Sequence, residues 1–235
     1  MILSIETSTP VCSVALHDGG KLISHTALYQ EKSHAGLLAV CIDQLLKNAG
    51  LTTGALKAVA VSKGPGSYTG LRIGTSTAKG ICFAEDIPLI ATDTLEAMAL
   101  EVAEKVGNTL SEDSNSILCP MLDARRMEVY ASIYNLNMEK SKAVDAIIIE
   151  ENSFEDLIMK TDNFFYFGYG AEKCQTVLNK EKGFRFIPGI DPSAVYLGKV
   201  ANGLYEKGEF ADLAYFEPFY LKEFLTKKST KNLLG

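Results

Sequence analysis

The sequence has no CxxC pair, no histidine pair four residues apart, no excess of basic charge and no long apolar run. Each absence narrows the field. The five cysteines, Cys12, Cys41, Cys82, Cys119 and Cys174, are odd in number and widely spaced. Neither a zinc ribbon nor a redox pair is supported, and buried free thiols in a reducing cytosol are the natural reading. Lys and Arg number 23 against 29 Asp and Glu, a formal net charge of −6, which argues against independent nucleic-acid binding. The one basic cluster, Lys227, Lys228 and Lys231, falls in the last residues and reads as a solvated tail. No apolar run reaches the roughly 20 residues of a membrane span. The opening MILSIETSTP enters a strand without a basic leader, so no signal peptide is expected and the chain reads as cytoplasmic.

What is there is an ordinary globular composition, 47% apolar and 22% charged over 235 residues. That is enough for one large core or two modest ones. Strands are expected at Met1–Glu6, Val11–His17 and Lys21–Tyr29, with Asp18-Gly19-Gly20 as a tight turn. A helix from about Ser33 to Asn48 stops near Gly50. A buried-type strand, Ala58–Ser62, leads through a glycine loop into a helix from about Thr69 to Ala84, followed by a strand at Pro88–Ala91 and a helix at Leu95–Val106. The polar stretch Asn108–Ser116 marks a boundary between a first lobe, residues 1–107, and a reduced second lobe, residues 108–235, whose last residues can pack back on the first. Strands then recur at Ile117–Asp123, Glu128–Tyr134, near Ala146–Glu150 and at Phe164–Phe167, with helices at Ala171–Asn179 and Ser193–Glu206. Each half opens with a strand, an acid, a turn and a strand; the acid is Glu6 in IETS and Asp123 in LDAR. Mixed strands with covering helices imply an α/β architecture of two similar lobes.

The stretch SKGPGSYTGLRIG, Ser62–Gly74, sits between a strand and a helix and has two readings. Gly66, Ser67 and Arg72 could hold an anion at the helix N-terminus. Alternatively, the glycines supply turn angles and Ser67 or Thr69 caps the helix. Spacing excludes a Walker A loop and a dinucleotide fingerprint. Arg72, in the first helical turn, either meets a carboxylate or phosphate or is simply solvated. Gly70, Gly74 and Ala78 recur every four residues with Thr77 alongside, a flat row suited to close helix approach. The preceding helix carries Leu38, Ile42, Leu45 and Leu46 on one face, widened by Leu37, Val40 and Cys41 beyond what one sheet covers. Glu6 and Asp123 could hold hydrated magnesium, or be ordinary strand-end acids. His34 has Leu38 four residues on, so it reads as a capping or surface histidine rather than a metal ligand. There is no GxSxG motif and no activated cysteine.

Taken together, ILSIETSTPVCSVAL, SHAGLLAVCIDQLL, VSKGPGSYTGLRIGTSTAKGICFA, ATDTLEAMA and LDARRMEVYASIY resemble the bacterial TsaB family, also called YeaZ. EPFYLKEF is similar to that family's closing segment. The likeness runs in register through most of the chain and is weakest over Tyr134–Phe165. It implies an actin/Hsp70/sugar-kinase-like (ASKHA) fold of two ribonuclease-H-like lobes. It also implies a part in placing the threonylcarbamoyl group on the tRNA adenosine next to the anticodon. The transfer, from threonylcarbamoyl-AMP, belongs to a paralogue, TsaD, and an ATPase, TsaE, joins the complex. The TsaD-type chain carries a histidine pair on the helix matching residues 33–48, where this chain has His34 and Leu38. The resemblance therefore implies no metal, no intrinsic cofactor and no transfer chemistry here.

It further implies an interface with TsaD, or with a second copy in a homodimer, built on the two helices. On this chain that selects Leu37, Leu38, Cys41, Ile42 and Leu45 from the first helix and Gly70, Gly74, Thr77, Ala78 and Ile81 from the second. Contact with tRNA would come mainly through the complex. Two other readings compete. One is an ATPase or small-molecule kinase using ATP or ADP with Mg, drawing on Glu6, Asp123, the glycine loop and FGYGAEK with Gly168 and Gly170. The other is a protease, for which no catalytic dyad is visible.

Overall fold

The computed structural model describes residues 1–29, 34–107, 109–110, 114–178 and 183–222. Ser33, Asn179, Lys227, Lys228, Lys231 and part of the polar boundary stretch lie outside the described residues. Strand β1 (Ile2–Glu6) is buried at every position, and β4 (Ala58–Gly64) at all but one. Such continuous apolar runs suit central strands covered on both faces. Strand β2 (Cys12–Asp18) turns into β3 (Lys21–Leu28) through Gly19 and Gly20, whose φ values of 53° and 76° are those a tight hairpin needs. With β5 (Leu89–Asp93) the first sheet has the order β3-β2-β1-β4-β5. The β1–β2 and β2–β3 pairs are antiparallel, and the β1–β4 and β4–β5 pairs are parallel.

The second sheet repeats this plan. It contains β6 (Ser116–Asp123), β7 (Glu128–Asn135), β8 (Lys140–Ile148), β9 (Asn163–Phe167) and β10 (Phe184–Ile187). Its order, β10-β9-β6-β7-β8, is the first sheet's order element for element, with two antiparallel and two parallel pairings in matching places. The molecule is two ribonuclease-H-like lobes in the actin/Hsp70/sugar-kinase-like arrangement.

Helices α1 (His34–Asn48) and α2 (Tyr68–Glu85) cover one face of the first sheet, where Leu38, Ile42 and Leu45 meet Leu3, Ile5, Val14 and Val59. Helix α3 (Thr94–Gly107) reaches the second lobe, packing Leu95, Met98 and Val102 with Leu118, Leu122 and Phe167. Two single turns follow, α4 (Glu155–Ile158) and α5 (Gln175–Leu178). Helix α6 (Ala194–Glu206) lies beyond the polar boundary in sequence, yet it packs Leu197 and Ala201 on Ile2, Ala58, Ala60 and Ile90 of the first sheet.

The chain then runs as a strap over the first lobe. Ala211 N donates to Leu89 O at 2.8 Å, Leu213 and Phe216 join the first core, and Phe219 N donates to Lys63 O at 2.7 Å. The strap reaches the second lobe where Lys222 pairs with Glu128.

Several short or edge elements differ from the sequence expectation, the α4 turn and a 3-10 turn at Thr53–Ala55 among them. Strand β8 begins at Lys140, because its first residues are exposed at a sheet edge and carry no hydrophobic alternation. Strand β10 is a four-residue edge strand too short to show a period. The helix expected at Ala171–Asn179 starts instead as a 3-10 turn, Glu172–Cys174, before the α5 turn.

Candidate functional site

The glycine loop is shaped by its own fold. Ser67 is the N-cap of α2, its Oγ accepting from Gly70 N at 3.3 Å, while Ser67 N donates to Ser8 O at 2.6 Å. The turn after β1 presses directly on α2. A Cβ at Gly70 would lie 2.0 Å from Thr7 O, and one at Gly74 would lie 2.3 Å from Thr7 Oγ1. Thr7 Oγ1 donates to Gly70 O at 2.8 Å. The small row of α2 therefore makes room for residues of the same chain.

This corrects the expected interface. Gly70, Gly74 and Ala78 are buried, as are Leu38, Ile42 and Leu45. The apolar face of α1 is broad because it serves both the sheet and α2. Of the ten expected interface residues, Leu37, Cys41, Thr77 and Ile81 keep partial exposure. The more open apolar groups on these helices are Val40, 58% exposed, and Phe83, 83% exposed. Phe83 was not among the expected site residues; its signal was an aromatic beside Gly80 and Ala84, both exposed.

Arg72 is held by two tyrosines of its own chain, with the Glu217 carboxylate acting on it at longer range. Its Nε donates to Tyr220 Oη at 3.2 Å, and its guanidinium lies 4.2 Å from the Tyr68 ring centroid. The two tyrosine rings are 4.8 Å apart. Tyr220, on the strap 148 residues away, could not be paired with Arg72 from sequence.

Between the lobes lies a cleft of about 710 Å³. One wall is Ser8–Pro10 with residues 65–69, the opposite wall is residues 122–126 with Glu128, Tyr130 and Tyr169, and strap residues 219–222 form a third side. Gly66 and Ser67 line it, and so does Asp123. Asp123 is already engaged, accepting from Arg125 N at 3.1 Å and pairing with Lys173. Arg125 and Arg126 are both exposed and sit consecutively at positive φ, 72° and 49°.

Glu6 does not line this cleft. It is fully buried, and its Oε1 accepts from Ser8 N at 2.6 Å. Burial pushes its carboxyl above the usual range, opposed by Ser8 and by the Ser62 hydroxyl. Glu6 and Asp123, read from sequence as magnesium ligands or as ordinary strand-end acids, have different surroundings: Glu6 is buried behind the Thr7–Ser8 turn and Asp123 lines the cleft. Among the described residues no group of three or more His, Cys, Asp or Glu side chains is placed to hold a metal ion.

His34 is likewise neither cap nor surface group: it is buried, and its Nε2 donates to Val11 O at 3.3 Å, tying α1 to the start of β2. A Cβ at Gly168 would lie 2.6 Å from Met121 O, and one at Gly170 would lie 2.5 Å from the Leu122 carbonyl carbon. That loop packs closely on β6. Burial pushes the Cys12, Cys82 and Cys174 thiols up to about 11, so none is an activated nucleophile. Among the described residues no helix is long and apolar enough to cross a membrane.

With this geometry in hand, comparison with known proteins is informative. Residues 21–223 match a family model described as "TsaD: tRNA N6-adenosine threonylcarbamoyltransferase". The tRNA threonylcarbamoyladenosine biosynthesis protein TsaB of Haemophilus influenzae is 31% identical over 97% of this chain and 95% of its own length. The Escherichia coli protein of the same name is 28% identical over 94% of each. Among solved structures, YeaZ from Pseudomonas aeruginosa superposes with a TM-score of 0.78 at 26% identity, covering 94% of this chain and 99% of that one.

Proposed function

Since this chain belongs to the TsaB (YeaZ) family, we propose that it is a non-catalytic subunit of the machinery that adds the threonylcarbamoyl group to tRNA. In this reading it works in the cytoplasm and pairs with a larger TsaD-type catalytic chain, in a complex that a TsaE-type ATPase joins. The tRNA is engaged mainly by the assembly, and in the absence of the catalytic chain a second copy takes the same surface. The observation that carries the reading is the state of α1: His34 is spent on the Val11 carbonyl, and the next position on that helix face is the core residue Leu38. A metal-binding pair at that spacing would need an imidazole at both positions.

The pairing surface is the outer side of α1 and α2, where Val40 and Phe83 stand exposed beside half-buried Leu37, Cys41 and Ile81. Exposed large apolar groups on adjoining helices favour a protein partner. Val40 and Phe83 are both largely exposed, so Val40→Asp and Phe83→Asp should fold. Each should weaken co-purification with the catalytic chain on the order of a hundredfold, the cost of a charge in an interface centre. Wild-type pairing by both variants would contradict the assignment.

A second reading, binding of ATP or ADP with magnesium, draws on the cleft between the lobes. It is weakened by Glu6 being sealed behind Ser8 and by Asp123 and Glu128 each holding a lysine. Heat of binding with ATP and magnesium on the purified chain separates the two.

A further inference from the structure

The cleft between the lobes has a chemistry of its own that a pairing subunit does not need. Its two acids are neutralised, Asp123 by Lys173 and Glu128 by Lys222. Its two arginines are not: among the described residues neither Arg125 nor Arg126 has a carboxylate partner. Both are exposed, and both hold a left-handed backbone that glycine or asparagine would adopt more easily. The turn that imposes this is fixed by Ala124 N donating to Glu128 O and Glu128 N donating to Arg125 O, each at 3.1 Å. Arginine at two such positions in succession is not what the turn's backbone favours.

Around them the walls are aromatic. Tyr169, 52% exposed, and half-buried Tyr130, which rests on the second-lobe core and shows part of its ring, stand on one side, and the tilted Tyr68–Tyr220 pair lines the other. The N-terminus of the 18-residue α2 opens into the same space through residues 67–69. Unpartnered guanidiniums contact phosphates, and open aromatic faces stack unpaired bases. A free mononucleotide is a poorer fit. Both acids that line the cleft, Asp123 and Glu128, are paired with lysines, which leaves neither free for a nucleotide's metal. An extended strand needs no such acid.

We infer that the inter-lobe cleft is this subunit's RNA-contacting surface, taking unpaired nucleotides of tRNA by stacking on Tyr130 and Tyr169 and by phosphate contacts to Arg125 and Arg126. The inference rests on the proposed role in tRNA modification. It reconciles a net charge of −6 with RNA contact: the basic, aromatic surface is local, and the assembly delivers the tRNA to it.

The test uses the complete complex and an unmodified tRNA transcript, with affinity measured across a salt series. The double variant Arg125→Asn/Arg126→Asn keeps the left-handed turn and removes both cations. It should lower the slope of log K against log salt by about 1 to 1.5 and weaken binding at least about fivefold near 0.15 M salt. Tyr169→Ala should weaken binding about fivefold or more with the slope unchanged. Ultraviolet crosslinking of the wild-type chain to the transcript should map to peptides holding Tyr130 and Tyr169. Wild-type affinity and slope in both variants, with crosslinks elsewhere, would overturn the inference. So would tight binding of ATP with magnesium in the cleft that leaves RNA affinity untouched. Failure of the underlying reading is seen separately, in a wild-type chain that neither pairs with the catalytic subunit nor is needed for modification.

Discussion

A Cβ at Gly198 would lie 2.2 Å from the ring of His17, so α6 can rest on β2 only because one position is a glycine and the facing one a flat imidazole. The His17 ring is fully buried, with no hydrogen-bond partner of ordinary geometry at either nitrogen. Burial pushes its pKa below the usual imidazole value, with the Val195 backbone opposing and Lys199 adding to the fall. The neutral ring is thus favoured in the folded chain, whereas the unfolded chain takes up a proton near pH 6.5. Stability from this group is complete above that pH and is lost as pH falls through it. Carboxyls that burial raises, Glu6, Glu101 and the partly buried Glu96 among them, act in the opposite sense, so the comparison must be internal. The stability of wild type relative to His17→Gln should fall between pH 7 and pH 5 in denaturant titrations, by at most about 1.4 kcal/mol per pH unit. Parallel curves would contradict a buried neutral ring. At this scale the sequence was legible where chemistry is local, as with Ser67 capping Gly70 three residues on. It was silent where partners come from afar: the small row at Gly70 and Gly74 looked open for a partner, because nothing local shows Thr7 pressing on it.

The strap touches both lobes and the cleft. Lys79 Nζ donates to the carbonyls of Ala214 and Phe216 at 3.0 and 3.2 Å, and Arg72 holds Tyr220. These contacts are near the surface, where each is worth at most about 1 kcal/mol. Tyr220→Ala should therefore leave global stability within about 1 kcal/mol of wild type while speeding amide hydrogen exchange across residues 214–222. Unchanged exchange there would show that the strap is held by Leu213 and Phe216 alone. Elements with a strong period, β1, α1, α2 and α6, were legible to within a residue or two. The edge strand β8 was legible only in part, because exposure at Lys140–Lys142 erases the alternation that marks a strand. The strap had no periodicity to read.

At the scale of the whole molecule, duplication was the most legible feature: the repeated strand–acid–turn–strand signature became two sheets of identical order. The passage of α6 back to the first sheet was not, since nothing in its amphipathic pattern says which sheet it covers. The lobes also diverged in use. Glu6, at the end of β1, is sealed, whereas Asp123, at the end of β6, is open and salt-bridged. Two matched strand-end acids thus have different surroundings, one buried under the Thr7–Ser8 turn and one lining the cleft.

The most direct measurement is threonylcarbamoylation of an unmodified tRNA transcript from threonylcarbamoyl-AMP, with the catalytic and ATPase components fixed and this chain present, omitted or alone. The account predicts product when the chain is present with the others, a loss of most of it on omission, and none from the chain alone. Equal yield on omission, or turnover by the chain alone, would contradict a non-catalytic subunit required for the reaction.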